Sequence, residues 1–269
     1  MLSAHGADPS NVFVTERPGH AHELARAALG RGISTIVAWG GDGTMNEIAS
    51  ALAYTDAALA LVPSGSGNGL ARELGVPFDS SAALEIAFNG RLRTIDAGEI
   101  EERLFFNVAG IGLDARVAHR FAIDGLEKRG FSRYVAITMR ELASYQPESL
   151  TITTAASTVN TSSLLVAIAN GRQYGNGAVI APHAQLDDGL LDLVVVRGRS
   201  LVRACLELPF VFTGTIDRLA GVALHRTDSV QITSPAPLVY HVDGEPIAGT
   251  LSVTARARPR ALRLRVPAD

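Results

Sequence analysis

Over the first ninety or so residues, apolar and polar positions change period in a regular rhythm. In HAHELARAAL the apolar positions Ala21, Leu24, Ala25 and Ala28 recur at helical spacing, and TMNEIASAL repeats the pattern through Met45, Ile48, Ala49 and Leu52. Around them stand short runs without that period. NVFVT, ISTIVAW and AALALV read as strands, the second nearly all apolar, and GLAREL reads as a short helix ended by Gly75 and Pro77. Apolar strands alternating with helices predict a parallel sheet covered by helices.

After Phe88 the pattern changes. RTIDAGEI, RLFFNVAGIG, SLTITTA, SSLLVAIANG, GLLDLVVVRG and SVQITSP are short runs rich in Val, Ile, Thr and Phe, punctuated by Gly, Asn, Asp and Pro. They predict a second, mainly antiparallel domain, interrupted by a helix around RYVAITMRELASY and another containing Cys205. The expected division is an α/β domain over 1–92, a β-rich domain over 93–254, and a C-terminal strand over 255–269 that returns to the first domain.

The chain has 269 residues, 47% of them hydrophobic, enough to bury substantial cores. Its formal net charge of −3 supplies no overall basic field to draw in nucleic acid, so none is expected as a partner. The single cysteine, Cys205, excludes an internal disulfide framework; with Leu201, Ala204 and Leu208 it falls on one helix face and reads as a buried structural thiol. No apolar stretch reaches the ~18 residues of a membrane span, and the expected location is cytoplasmic.

The candidate chemistry begins where strand ISTIVAW runs into Gly40-Gly41-Asp42-Gly43-Thr44 and then a helix. Glycines let a ligand reach the backbone, and a helix N-terminus offers free N–H groups and a partial positive charge, so this turn suits a phosphate. A carboxylate beside a phosphate makes sense if Mg²⁺ lies between them or if Asp42 handles a proton. The alternative is that Asp42 only caps a helix starting at Thr44. A second turn, Ser64-Gly65-Ser66-Gly67-Asn68-Gly69, follows strand AALALVP. Two such turns at the carboxyl ends of parallel strands would face one crevice, with Ser66 and Asn68 as hydrogen-bonding groups. The G-x-G-x-x-G spacing is missing, which speaks against a dinucleotide-dependent dehydrogenase.

GGDGTMNE, PSGSGNGLARELGVP, FNVAGIGLDARVA, ANGRQYGNGAVIAPHAQLDDGLLDL and HVDGEPIAG, in this order, resemble the diacylglycerol kinase catalytic-domain family, which includes the bacterial soluble lipid kinases and the sphingosine kinases. The likeness covers nearly the whole chain. It implies an NAD kinase- or phosphofructokinase-like nucleotide-binding domain and a β-sandwich domain, with ATP and Mg²⁺ as cofactors and γ-phosphoryl transfer to a lipid hydroxyl of the diacylglycerol or sphingoid type. By the same likeness, Gly40, Gly41, Asp42, Gly43, Thr44 and Asn46 would cradle the phosphates. Thr15, at the end of the first strand, would lie near the nucleotide, as would Ser66, Gly67 and Asn68. Asp243 and Glu245 would hold the acid/base role together with Asp42, and either could be the base. Asp188, with the carbonyls of Gln185 and Leu190, would hold a structural Mg²⁺. The implied partner is a lipid substrate at a membrane surface touched transiently; a homodimer is open.

Standing alone, Asp243-Gly244 would read as a hairpin turn and Asp187-Asp188-Gly189 as a solvated turn. Asn107, Asn170 and His183 read as turn or packing residues, His20 and His22 as surface residues, and Phe210, Val211 and Phe212 as core. Two features depart from the family. Its opening strand with an Asn-Pro turn has no counterpart before MLSAHGADPSNVFVTERPGHA, implying either a truncated start or weakened nucleotide binding. Gly69 also stands where many members carry Asp. A non-catalytic protein of the same fold, and a soluble-substrate kinase of the NAD kinase type, are therefore alternatives. A deep apolar pocket between the domains would favour the lipid.

Overall fold

The computed structural model of the protein describes residues 9–123, 131–247 and 249–268; residues 1–8, part of the segment on which the reading of the chain start rests, lie outside them. The first part runs α1 (His20–Gly30), β1 (Thr35–Gly40), α2 (Asp42–Leu52), β2 (Ala58–Pro63), α3 (Gly69–Glu73) and α4 (Ser80–Asn89). β1 and β2 pair in parallel from Thr35↔Ala58 to Gly40↔Pro63. Their faces are covered by Ala21 and Ala25 of α1, by Met45, Ile48, Ala49 and Leu52 of α2, and by Ala83 and Leu84 of α4. The apolar stripes read from the sequence are therefore the ones that are buried. α4 carries its own start signal, Asp79, whose carboxylate accepts the Ala82 N–H at 2.9 Å.

One expected strand is absent. Among the described residues, 11–15 form no strand: residues 9–11 make a single 3-10 turn and the rest is irregular. A strand needs a neighbouring edge and a buried face to offset the cost of ordering it. Val12, Phe13 and Val14 are 53%, 49% and 79% exposed, and the Arg31 guanidinium lies over the Phe13 ring at 5.5 Å.

The second part contains β3 (Arg91–Ile100), β4 (Arg103–Phe105), β5 (Val108–Gly112), α5 (Leu113–Ile123), α6 (Phe131–Ser144), β6 (Glu148–Thr154), β7 (Thr158–Ala169), β8 (Leu191–Arg197), α7 (Leu201–Phe212), β9 (Val222–Thr227), β10 (Ser229–Thr233), β11 (Tyr240–Val242), β12 (Glu245–Ile247) and β13 (Ser252–Val266). Antiparallel ladders join β10, β6, β7, β5, β11 and β12 in that order, with β8 and β9 continuing from β7. Ile111, Val166, Ile168, Leu193 and Ile232 fill the core of this sandwich. A third core, with Val117, Ile137 and Leu164, lies beneath α5 and α6. The fold is thus α/β with a parallel first sheet and a mainly antiparallel second domain.

β13 joins the two halves. It begins at Ser252, pairs with β10, runs antiparallel along β3, and ends parallel to β2 at Arg263↔Ala58 and Leu264↔Leu59. Its register shifts between Arg258 and Leu262, where Arg260 takes φ 53°. Buried Asp96 holds this bulge, accepting Arg260 N–H on one oxygen at 2.7 Å and Gly189 N–H on the other at 2.6 Å. Cys205 lies in a helix as expected, but it is only partly buried: α7 has no fully buried residue.

Candidate active site

The two glycine turns are in contact. A side chain on Gly65 would place its Cβ 2.5 Å from the Gly41 Cα, so the close approach of the backbones requires glycine at this position. α2 begins at Asp42 rather than Thr44, because extended Gly41 is the N-cap and its carbonyl already accepts the Met45 N–H. No side chain caps this end, and Gly41, Asp42, Gly43 and Thr44 face a large cavity. The Asp42 carboxylate caps a different helix. It accepts Asn68 N–H at 2.8 Å and Gly69 N–H at 2.7 Å, binding the second turn to the first. Glu47, one turn on, does the same for α1, accepting N–H groups of Gly19 and Ala21 at 2.8 and 3.0 Å. Burial pushes the Asp42 carboxyl above the usual carboxylate range, the two N–H groups pull it back, and the charge of Asp243 adds to the rise.

Gly69, the departure from the family pattern, has a physical account. A Cβ there would lie 2.2 Å from Asn107 Nδ2, so the Asn107 side chain fills the space a residue 69 side chain would need. Asn107 Nδ2 donates to the Gln173 carbonyl, and Asn170 Nδ2 donates to the carbonyls of Asp96 and Phe106, both at 3.0 Å. Both asparagines thus hold neighbouring main chain, and Asn107 also lines the cavity. Asn68 is fully buried, its amide closing the turn on Gly65 N–H and carbonyl. Thr15 and Ser66 are exposed at the cavity mouth, and Gly40 lies just behind it under Thr44.

Asp243 and Gly244 form the two-residue turn between β11 and β12, with φ 46° and 87°. The hairpin reading holds, and the turn also lines the cavity. The Asp243 carboxylate gathers N–H groups of Phe106 (2.9 Å), Asn107 (3.0 Å) and Val108 (3.0 Å), and the Asn46 amide (2.8 Å). Those four donors account for the roughly four lone-pair positions of a carboxylate. Asp243 thus ties α2 of the first domain to the β4–β5 connection of the second. Burial pushes its carboxyl up against the pull of these hydrogen bonds. Glu245, two residues on, lines the same cavity and stays open to it; partial desolvation of its carboxyl by the cavity walls and the charge of Glu47 raise its pKa, and Arg103 opposes the rise.

From this polar mouth the cavity, about 1330 Å³ in volume, continues into the second domain. There its walls are apolar: Leu113 and Val117 of α5, Leu142 of α6, Leu164 of β7, and Val211 and Phe212 of α7. Val211 and Phe212, expected as core, are cavity walls, and Phe210 is 38% exposed. Composition could not separate core from chamber, since both are lined by the same residue types.

Sequence reasoning missed a buried polar cluster in the same wall. Asp114, at the start of α5, accepts the Tyr174 hydroxyl at 2.7 Å and faces His241 Nε2 at 3.4 Å. Gly244 N–H donates to His241 Nδ1, which leaves Nε2 to carry a proton toward Asp114. Burial and Asp114 hold the Tyr174 phenol well above its ordinary pKa, so it remains a donor. Asp114 lies inside the quoted stretch FNVAGIGLDARVA, but its two partners come from other segments.

The expected structural-metal residues Gln185, Asp188 and Leu190 sit in one loop. The Asp188 carboxylate accepts Leu190 N–H at 3.0 Å and is paired with the Arg226 guanidinium. Arg226 supplies the positive charge a cation would bring, so the donor set as arranged does not fit a free metal cage. Among the described residues no group of three or more His, Cys, Asp or Glu is placed to hold a metal. His183 is exposed and meets Asp217 at 3.3 Å; His22 is exposed, and His20 accepts Glu16 N–H.

Residues 2–100 match the family model of the diacylglycerol kinase catalytic domain, and residues 107–266 match that of the YegS C-terminal NAD kinase beta sandwich-like domain. A relative from Pseudomonas putida, described as "Probable lipid kinase YegS-like", is 34% identical over 263 residues, covering 96% of this chain and 85% of that protein. One from Klebsiella pneumoniae with the same description is 30% identical over 272 residues, covering 100% of this chain and 90% of its own length. The crystal structure of a diacylglycerol kinase from Bacillus anthracis superposes with a TM-score of 0.71 at 18% identity, covering 94% of this chain and 84% of that one. An NAD kinase from Archaeoglobus fulgidus in complex with ATP superposes at 0.52 with 10% identity, covering 98% and 86%. At these identities the two structures establish the fold.

Proposed function

The chain belongs to the diacylglycerol kinase catalytic-domain family and is a kinase, and from that premise we propose that it transfers the γ-phosphoryl group of Mg·ATP to the hydroxyl of a diacylglycerol- or sphingoid-type lipid. The observation that carries this reading is the single cavity that joins the glycine turns to an apolar chamber. Its volume, about 1330 Å³, exceeds the roughly 300–1,000 Å³ of ordinary small-molecule pockets, and a long acyl chain would use the excess. A soluble acceptor of the NAD kinase type would want a polar wall where this chamber is apolar.

In this reading the N-terminus of α2 and the two turns hold the nucleotide phosphates, with Thr15 and Ser66 at the rim. Mg²⁺ is usually held by one or two carboxylates together with the phosphates of its nucleotide, and such a site fits this mouth. Asp42 would be its carboxylate ligand, since its two N–H bonds leave lone pairs over, and Glu245 would stay free to accept a proton. The ion would neutralise the charge that spreads over the transferring group. The acyl chains lie in the chamber, and Asp114, Tyr174 and His241 meet the polar part of the acceptor where the chamber opens to the mouth. The acceptor oxygen forms its bond to the γ-phosphorus as the bond to the β–γ bridging oxygen breaks, and ADP leaves. Glu245 takes the hydroxyl proton, because Asp243 is saturated by donors; Asp243 positions the turn that carries Glu245.

The test is transfer of labelled γ-phosphate from Mg·ATP to mixed-micelle diacylglycerol, sphingoid bases and, for contrast, NAD. Labelled lipid is the expected product; labelled NAD, or no labelled acceptor at all, overturns the reading.

A further inference from the structure

α7 is apolar on two opposite faces. Ala204, Leu208 and Val211 line the chamber. Val202, Leu206 and Phe210, spaced i, i+4 and i+8, fall on the other side, at 70%, 71% and 38% exposure. A helix that is apolar all round normally lies inside a core. This one has no fully buried residue and forms a wall one helix thick between the chamber and the outside. Exposed Arg197 and Arg218 flank it in the chain, and the acidic groups beside it are already engaged: Glu207 by Arg199 and Arg203 (2.7 Å), Asp217 by His183 (3.3 Å).

We propose that the outer face of α7 rests on an anionic lipid bilayer, with Val202, Leu206 and Phe210 entering the acyl boundary and Arg197 and Arg218 meeting the headgroups. Continuity selects this occupant. The face is backed by the chamber assigned above to the acyl chains, so a helix lying on the bilayer would bring membrane and chamber to the two sides of one wall. An apolar row bordered by arginine is the pattern of a helix that lies in an interface, where buried apolar area and attraction to anionic lipid act together. The link to the acceptor rests on the lipid kinase reading; the membrane contact does not.

The test uses the full chain, vesicles of phosphatidylcholine with and without phosphatidylserine, and the variants Val202→Glu/Leu206→Glu and Leu206→Met. Both positions are exposed and outside the cavity, and unchanged melting curves would verify the fold. The wild type should co-sediment with anionic vesicles and Leu206→Met should match it, while the double variant should bind about tenfold or more weakly. Turnover of vesicle-embedded diacylglycerol should fall with binding, and turnover of a dissolved short-chain diacylglycerol should stay unchanged. Vesicle binding equal to wild type in the double variant overturns the proposal. So does wild-type self-association that the double variant abolishes with no vesicle binding in either, since the face would then belong to a second copy. Lost vesicle binding in a protein that phosphorylates no lipid would uphold this surface and defeat the lipid kinase reading alone.

Discussion

Replacing Asp243 by alanine separates a positioning role from a chemical one. The substitution removes the acceptor of four hydrogen bonds of 2.8–3.0 Å, three of them from consecutive backbone N–H groups. A buried donor left without a partner costs about 1–3 kcal/mol. The turn lies beside the cavity, so water can reach part of the set; with about half the donors rehydrated, the loss is ~2–6 kcal/mol. Relief of burying a carboxylate against its preference offsets part of this. A net loss of about 2–4 kcal/mol remains, which for a chain of this size lowers the melting temperature by roughly 4–16 °C. Asp243→Asn, which keeps one acceptor oxygen, should fall between. Calorimetry without nucleotide is the assay, run beside Glu245→Gln, which removes no hydrogen bond of this set and should melt within about 2 °C of wild type. If Asp243→Ala melts within about 2 °C of wild type, the donors do not depend on the carboxylate and Asp243 is free to act as the base.

Glu245→Gln should lower kcat by about 10²–10⁴ while leaving the KM for ATP within a small factor, as measured with saturating lipid. The sign of the pH effect follows from the direction of the shift. A carboxyl raised by burial and by Glu47 is protonated to a higher pH than usual, so the acid limb of kcat/KM should lie above the ordinary Glu range and vanish in Glu245→Gln. The same shift means that the folded state binds this proton more tightly than the unfolded state. Its stabilising effect is full below the unfolded pKa and is lost as pH rises through the raised one. The melting temperature of wild type relative to Glu245→Gln should therefore decline over that window. Ala118→Trp, which narrows the chamber, should raise the KM for long-chain acceptors at least about tenfold with ATP affinity unchanged by calorimetric titration. Because Arg226 neutralises Asp188, a chelator should leave the wild-type melting temperature unchanged; a clear drop would restore a structural metal to the 185–190 loop.

Much of the fold was legible because periodicity reports burial, and the stripes of α1 and α2 are buried as their spacing required. α5 carried the same signal in Leu113, Val117, Ala118 and Phe121 but was assigned no element. The sequence NVFVT has strand composition, yet a strand is a property of a pair, and composition does not name the partner. The candidate site divides in the same way. Gly41 and Gly65 announce a place where backbones approach. The partners of Asp42 and Asp243 are main-chain N–H groups, which every non-proline residue carries and no letter of the sequence marks. Asp114, Tyr174 and His241 were illegible because three distant segments must fold before they meet.

The carboxylates at the mouth divide between holding the cleft and working in it. Asp42 fixes the second glycine turn to the first, and Asp243 fixes the second domain to Asn46 of the first. β13 provides a second tie, since it pairs with β2 of one domain and β10 of the other. These two ties, made through different elements, both hold the turns against the second domain. Phosphoryl transfer depends chiefly on positioning and charge, so a mouth made rigid by its own acids is suited to it. Asp42 and Asp243 also sit where desolvation raises their pKa values. A cation bound at Asp42 would lower the pKa that folding raised, so Mg·nucleotide should bind more tightly, and raise the melting temperature further, at neutral than at mildly acid pH, which thermal unfolding at fixed nucleotide would show.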